Sequence, residues 1–241
     1  WFLTGLEKHS DRADMNLKGN SDAFFLMLNN ALGKMPYDSV LVSMIQLSNH
    51  DHSRFLTRTN GIVGRINTHK SEDAESGVKL EVMRQAIMMQ VTLPGAPTIY
   101  YGDEVGVCGF TDPDSRRTYP WGHENLELLE YHRYMNRWHR VRKELKSGSL
   151  IKLISNAGAV CYARVLKDNV SVIVINTGEY TKKIDIPLYL TEMRDNAIIS
   201  RVIYTNKTGY NVGRVTYEND NGYLNMEIEP HSGYLLVSEN L

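Results

Sequence analysis

The stretch Val40–Arg54 reads VLVSMIQLSNHDHSR. Val40 to Leu47 is a nearly continuous apolar run, the pattern of a short strand buried on both faces. Asn49, His50 and Asp51 follow directly, and Arg54 stands three residues beyond. Side chains leaving parallel strands converge at their C-terminal edge, where βα folds build sites. A carboxylate beside an imidazole accepts and donates hydrogen bonds at once, which suits a vicinal diol. Position alone also fits a capped loop carrying a surface ion pair.

Outward from this stretch the same logic repeats. Pro94–Glu104 reads PGAPTIYYGDE. Thr98 to Tyr101 predicts a second buried strand, Gly102 relieves the turn behind it, and Asp103 and Glu104 sit at its C-terminal end. Adjacent acids point in different directions, so adjacency does not make them a catalytic pair, and either one could brace the loop. A third polar stretch, Asp112–Trp121 (DPDSRRTYPW), combines acids, planar donors and two aromatics. Such a loop can clamp a hydroxyl-rich ligand or simply be solvated. Helices are predicted over Ser21–Leu32, capped by Asn20 or Ser21, over Glu72–Leu93, stopped by Pro94-Gly95, and over Asn125–Lys146. In the last, Tyr131, Tyr134, Trp138, Val141 and Leu145 share a face. Strands alternating with long helices imply a parallel sheet.

The character changes near Ser147-Gly148-Ser149. From Leu150 the segments are short, alternating and β-branched, as in Val160–Leu166, Val170–Asn176 and Lys182–Ile186. Asn219-Asp220-Asn221-Gly222 between Val215–Tyr217 and Tyr223–Ile228 predicts a hairpin. The organisation expected is therefore α/β over residues 1–147, followed by an antiparallel β-domain over 148–241, a sandwich or open barrel.

Composition narrows the function. Lys and Arg total 27 against 28 Asp and Glu, so nothing marks a nucleic-acid binder or a membrane-surface protein. No apolar run approaches the ~20 residues of a membrane span. Two cysteines, Cys108 and Cys161, exclude a disulfide framework and a cysteine-built zinc site. They leave the compartment open, with the cytoplasm slightly favoured. No Gly-rich phosphate loop, G-x-S-x-G elbow or H-E-x-x-H spacing occurs, so no metal site and no cofactor is evident. The chain opens Trp1-Phe2-Leu3-Thr4-Gly5, without Met or a basic segment before an apolar one, and reads as an internal point of a longer protein.

The three motifs together resemble a family. Val40–Arg54 resembles the strand-7 motif of the α-amylase family of glycoside hydrolases, and Pro94–Glu104 its strand-8 motif. Asp112–Trp121 is similar to a loop of the neopullulanase, cyclomaltodextrinase and maltogenic-amylase subgroup. A helix and a β-domain follow in the family's order, and Glu229–Val237 (EPHSGYLLV) is similar to its last strand. The resemblance implies the C-terminal part of a (β/α)8 barrel, strands 6–8, followed by an antiparallel β-sandwich. It implies retaining hydrolysis of α-glucosidic bonds in starch-like glucans or cyclodextrins, by a nucleophile and an acid/base about 5–5.5 Å apart. In the family the nucleophile lies in a G-F-R-x-D motif. Here Gly-Phe occurs once, at Gly109-Phe110, and Thr111 follows.

What the resemblance carries onto this chain is the third acid, matched by Asp51. That acid would grip the 2- and 3-hydroxyls of the sugar before the scissile bond, as a transition-state stabiliser with His50 beside it. Asn49, Arg54, Asp112 and Arg116 are then expected to bind substrate, and Tyr101, Asp103 and Glu104 to form the end of strand 8. Full-length members can hold a structural calcium, but its ligands are not identifiable in this sequence. The expected partner is an α-glucan. The isolated chain is expected to be inactive and to self-associate through its open barrel strands, while its β-domain, with a local core, folds regardless. A transglycosylase or isomerase of the same family, a non-catalytic barrel-like subunit and a carbohydrate-binding fragment are the competing readings. The last needs an exposed aromatic platform, for which Tyr204, Tyr210, Tyr217 and Tyr223 are candidates, although such residues more commonly fill cores.

Overall fold

Asn20 starts the first helix, α1 (Ser21–Leu32), by accepting a hydrogen bond from the Ala23 amide at 3.0 Å. The structure, a computed structural model, describes residues 1–194 and 197–239. After α1 the apolar run divides. Residues Tyr37–Leu41 form a short helix, α2, begun at Pro36, and only Met44–Gln46 form a strand, β1. The expectation of a strand across Val40–Leu47 buried on both faces is corrected here. Val42 and Met44 are 75% and 66% exposed, and Ile45 is half-buried. An apolar run does not itself distinguish a helical turn from a strand.

Beyond the Asn49–Arg54 loop come α3 (Phe55–Arg58) and α4 (Leu80–Thr92). The predicted start of the latter at Glu72 falls in a separate 3-10 turn, Ser71–Ala74. β2 (Ala96–Thr98) pairs parallel with β1, in register Met44↔Ala96 to Gln46↔Thr98. Pairing stops there, so Tyr100 and Tyr101 lie past the strand and not within it. Three barrel strands were implied for this region; among the described residues two are formed, and they share one small parallel sheet. Gln90 on α4 stitches them together, its side-chain amide donating to Ile45 O and Thr98 O, both at 2.9 Å. The predicted long helix is two pieces, α5 (Leu126–Val141) and α6 (Lys143–Ser147). Arg142 between them adopts extended backbone, which turns Val141 to solvent while Leu145 stays buried.

The antiparallel strands begin at Ser149. They are β3 (Ser149–Asn156), β4 (Ala159–Leu166), β5 (Asn169–Asn176), β6 (Lys182–Pro187), β7 (Ile198–Asn206), β8 (Gly209–Asn211), β9 (Val215–Glu218), β10 (Tyr223–Ile228) and β11 (Ser232–Ser238). Among the described residues, β3-β4-β5-β11-β7-β8, with β9 beside β7, form one sheet, and β10-β6 form another. The predicted hairpin at Asn219–Gly222 is a chain reversal between sheets: β9 pairs with β7, whereas β10 pairs with β6. The local turn signal was real, but it carries no information about which strand each arm joins.

Two cores hold these layers. Leu153, Val172, Val174, Ile186, Leu224, Met226 and Leu236 fill the space between the two sheets. Val160, Tyr162, Ile173, Ile175, Ile203 and Leu235, on the other face of the large sheet, pack with Met83, Ile87 and Met88 of α4. Polar stitches run through the same contact. Gln85 donates to Asn176 O and Ser232 O at 2.9 and 3.0 Å, and Arg164 donates to Thr92 O at 2.7 Å. The core therefore crosses residue 148. A β-domain with a purely local core, able to fold regardless, is not what this packing describes. Stripping α4 away would expose the part of that face formed by β5, β7 and β11.

Candidate functional site

Because β1 and β2 run parallel, their C-terminal ends deliver Leu47–Arg54 and Ile99–Glu104 to the same edge. Asn49 shapes the first loop. Its side-chain carbonyl accepts the amides of Asp51 and His52, each at 3.0 Å, a local turn that holds residues 50–52 away from the strand. Asn49 is thus half-buried and engaged with its own backbone. His50 and Asp51 stand out of this turn, both side chains 61% exposed, with His50 Nε2 3.4 Å from Asp51 Oδ1. His52 turns inward against His9, ring centroids 5.0 Å apart. Its burial, with Lys8, His9 and Arg58 nearby, lowers its imidazole to about 4, against the pull of Asp51.

The third motif closes over the first. The Arg116 guanidinium holds Asp112 at 2.7 Å through Nε and lies 3.9 Å from Asp51 through Nη2. Nε also donates to His50 O at 3.3 Å, and the Ser115 hydroxyl donates to the same carbonyl at 2.9 Å. Asp51, His50, Asp112 and Arg116 therefore form one open cluster of two carboxylates, an imidazole and a guanidinium. Vicinal hydroxyls could meet both donors and acceptors there.

Arg54 is different. It is fully buried, so the expected contact with substrate is corrected: the guanidinium does not reach the surface. It donates to Ser115 O at 2.8 Å, to Tyr101 O at 2.6 Å and to Asp103 Oδ1 at 3.1 Å, and stacks over the Tyr100 ring at 4.0 Å. Its own amide donates to Gly109 O. One side chain thereby joins all three motifs from beneath. Asp103 is its buried counter-ion. Burial raises that carboxyl to about 6, and the Arg54 charge, a hydrogen bond from Ser48 and the Arg58 charge hold it from rising further. Gly102 makes the approach possible at φ +88, where a Cβ would meet Val107 at 2.7 Å. Tyr101 is 40% exposed and its hydroxyl donates to Arg117 O, while Glu104 is half-buried with a carboxylate oxygen that has no partner.

Sequence reading missed Ser48, Ser115 and Tyr100, whose positions carried no local signal. It also missed a second brace, in which Asp114 binds Arg117, Ser71 and the Phe110 amide. Glu7, His9 and Asp11 bring ligand atoms within 4.8 Å of one another. Their carboxylates are already engaged, Asp11 by Arg65 and Glu7 by two backbone amides. We assign no ion there.

Comparison with known proteins identifies the family and the fold. A family model described as alpha amylase, catalytic domain, matches residues 3–158. An amylopullulanase of Thermoanaerobacterium thermosulfurigenes is 27% identical over 86% of this chain and 11% of its own length. A cyclomaltodextrinase of Thermoanaerobacter pseudethanolicus is 34% identical over 58% of this chain and 22% of its own. The native debranching enzyme of Nostoc punctiforme superposes with TM-score 0.73 over 98% of this chain and 44% of that one, at 22% identity, a likeness of fold. The chain thus spans less than half the length of each of these relatives.

Proposed function

Since the chain belongs to the alpha-amylase family, we propose that it is the C-terminal portion of a retaining glycoside hydrolase acting on α-glucosidic bonds of starch-like glucans or cyclodextrins. In this reading, residues 1–147 supply the last part of a (β/α)8 barrel and residues 148–241 a C-terminal β-sandwich. One observation carries it. His50, Asp51, Asp112 and Arg116 meet in the open, at the C-terminal edge of a parallel strand pair, held from below by Arg54.

Asp51 accepts hydrogen bonds from neighbouring sugar hydroxyls, and these strengthen as the ring flattens toward the oxocarbenium-like state. His50 adds a donor or acceptor beside it. Asp112 and Arg116 extend the contact to further glucosyl units. Arg54, Asp103 and Tyr101 position this cluster without touching sugar. The chain has no G-F-R-x-D nucleophile motif: its one Gly-Phe places Phe110 in the core and uses the Gly109 carbonyl to hold Arg54. A third acid alone neither attacks nor protonates.

The purified chain should release no reducing ends from starch, pullulan or cyclodextrin. Release that the Asp51→Asn variant abolishes would overturn this reading, since the chain itself would then be the catalyst.

A further inference from the structure

The outer face of the β6–β10 sheet carries an arrangement that the Asp51 cluster does not use. Along β10, Leu224, Met226 and Ile228 are buried, while Tyr223, Asn225 and Glu227 face outward. Tyr223 stands opposite Pro187, and Asn225 opposite Asp185. Just past β6, Tyr189 is 53% exposed, and its ring centroid lies 5.4 Å from that of Tyr223 at an interplanar angle of 59°. The two rings form an open wedge.

This wedge is fixed from behind. The Tyr189 amide donates to Gly222 O at 2.9 Å. Gly222 sits at φ +84, with space for a Cβ only 2.9 Å from that of Tyr189, so glycine lets the turn press against the residue. A hydrogen bond with Tyr189 pushes the Tyr223 phenol above its ordinary value, and the charge of Asp185 acts in the same direction. The hydroxyls, the rings and the carboxylate therefore share one small surface. By contrast, the other expected platform residues are engaged elsewhere: Tyr204 against Tyr234, Tyr210 against Tyr131, and Tyr217, half-buried, against the inter-sheet core.

The chemistry selects the ligand. The C–H faces of a pyranose pack on aromatic rings, while its hydroxyls need donors and acceptors at the rim. Asn225 offers both, and Asp185 accepts. A protein partner would favour a core depleted of charge, whereas Asp185 lies diagonal to Tyr223 and the same exposed face continues along the strands with Glu227 opposite Lys183. We propose that the Tyr189–Tyr223 wedge, with Asn225 and Asp185, is a second α-glucan-binding surface, distinct from the Asp51 cluster. It would hold a remote stretch of the chain whose other part lies at Asp51. This inference rests on the glucan reading of the protein.

Amide NMR titration of the 241-residue chain with maltoheptaose separates the two ideas. The wild type should show saturable shifts at residues 185–189 and 223–225, and these should persist in Asp51→Asn. The Tyr189→Ala/Tyr223→Ala variant should weaken them at least tenfold. Asn225→Ala, which leaves both rings in place, should weaken them about threefold. Absence of these shifts in the wild type, or their survival in the double tyrosine variant, overturns the second surface whatever happens at Asp51. Shifts at the wedge without any at residues 49–54 would uphold the second surface and count against the Asp51 site.

Discussion

Arg54 Nη1 donates to Asp103 Oδ1 at 3.1 Å, and neither side chain is more than 4% exposed. One residue follows β1 and the other follows β2, so the pair fastens the two strand ends beneath the open cluster. A buried pair of this kind contributes little relative to a well-packed apolar pair, but removing one partner strands the other charge. Arg54→Ala should therefore lower unfolding free energy at pH 8 by about 3–5 kcal/mol. The loss should be smaller at pH 5, where the Asp103 carboxyl takes up a proton. Urea unfolding at both pH values checks this, and a loss under about 1 kcal/mol at pH 8 would mean that the pair is not buried as described.

The same carboxyl and a distant histidine should give the protein two opposed pH dependences. Asp103 is raised to about 6 by burial. The folded state then binds more protons than the unfolded one between the ordinary carboxylate value and about 6, so this group alone makes stability fall as pH rises through that window. His132 is buried on α5 with neither ring nitrogen partnered, and burial lowers it to about 4. There the unfolded state binds more protons, so stability is lost as pH falls from about 6.5 toward 4, by ~3 kcal/mol at the limit. Relative to the wild type, His132→Leu should make stability rise less steeply with pH between 4 and 6 and Asp103→Asn should make it rise more steeply, with His52 contributing in the same direction as His132 in both. Melting temperatures across pH 4–7 measure both. Parallel profiles in the two variants would refute the assignment.

Arg116 holds Asp112 and reaches Asp51 at once, with Nε and Nη2 in a fixed fork. A charge-assisted hydrogen bond contributes roughly 1.5–3 kcal/mol. Arg116→Ala should weaken maltoheptaose at residues 49–54 about tenfold or more, and affect maltose less. Lys should not rescue it, because a point charge cannot replace the fork. Equal losses for both sugars would remove Arg116 from any extended subsite.

How far the sequence foretold this arrangement depends on depth. The order and spacing of the motifs were legible, and they place Asn49–Arg54, Tyr101–Glu104 and Asp112–Arg116 at one edge. What was not legible was which of these residues point inward. Arg54 and Asp51 lie in the same short loop, yet one is fully buried and the other mostly exposed. That difference is set by Ser115 and Tyr101, which are remote in sequence. The run Val40–Leu47 misled for a related reason: its apolar character showed neither the turn that begins at Pro36 nor the exposure of Val42 and Met44. Tyr189 carried no pattern at all until β6 and β10 were paired.

Val42, Met44 and Ile99 are exposed around the β1–β2 pair. Apolar strands with open edges invite pairing with another chain. We expect the isolated protein to self-associate at micromolar concentration, with light scattering giving a mass above 27.5 kDa, and Val42→Ser/Met44→Ser to shift it toward monomer. A monomer of that mass that binds no hydrophobic dye contradicts this.

The central claim is that Asp51 grips sugar hydroxyls. A crystal structure of the chain with maltotetraose tests it most directly. The Asp51 carboxylate should lie within hydrogen-bond distance of the adjacent 2- and 3-hydroxyls of one glucosyl unit, with His50 and Arg116 at its side. Sugar bound at the strand ends with Asp51 turned to solvent, or no sugar there at occupancies where other surfaces are filled, would contradict it.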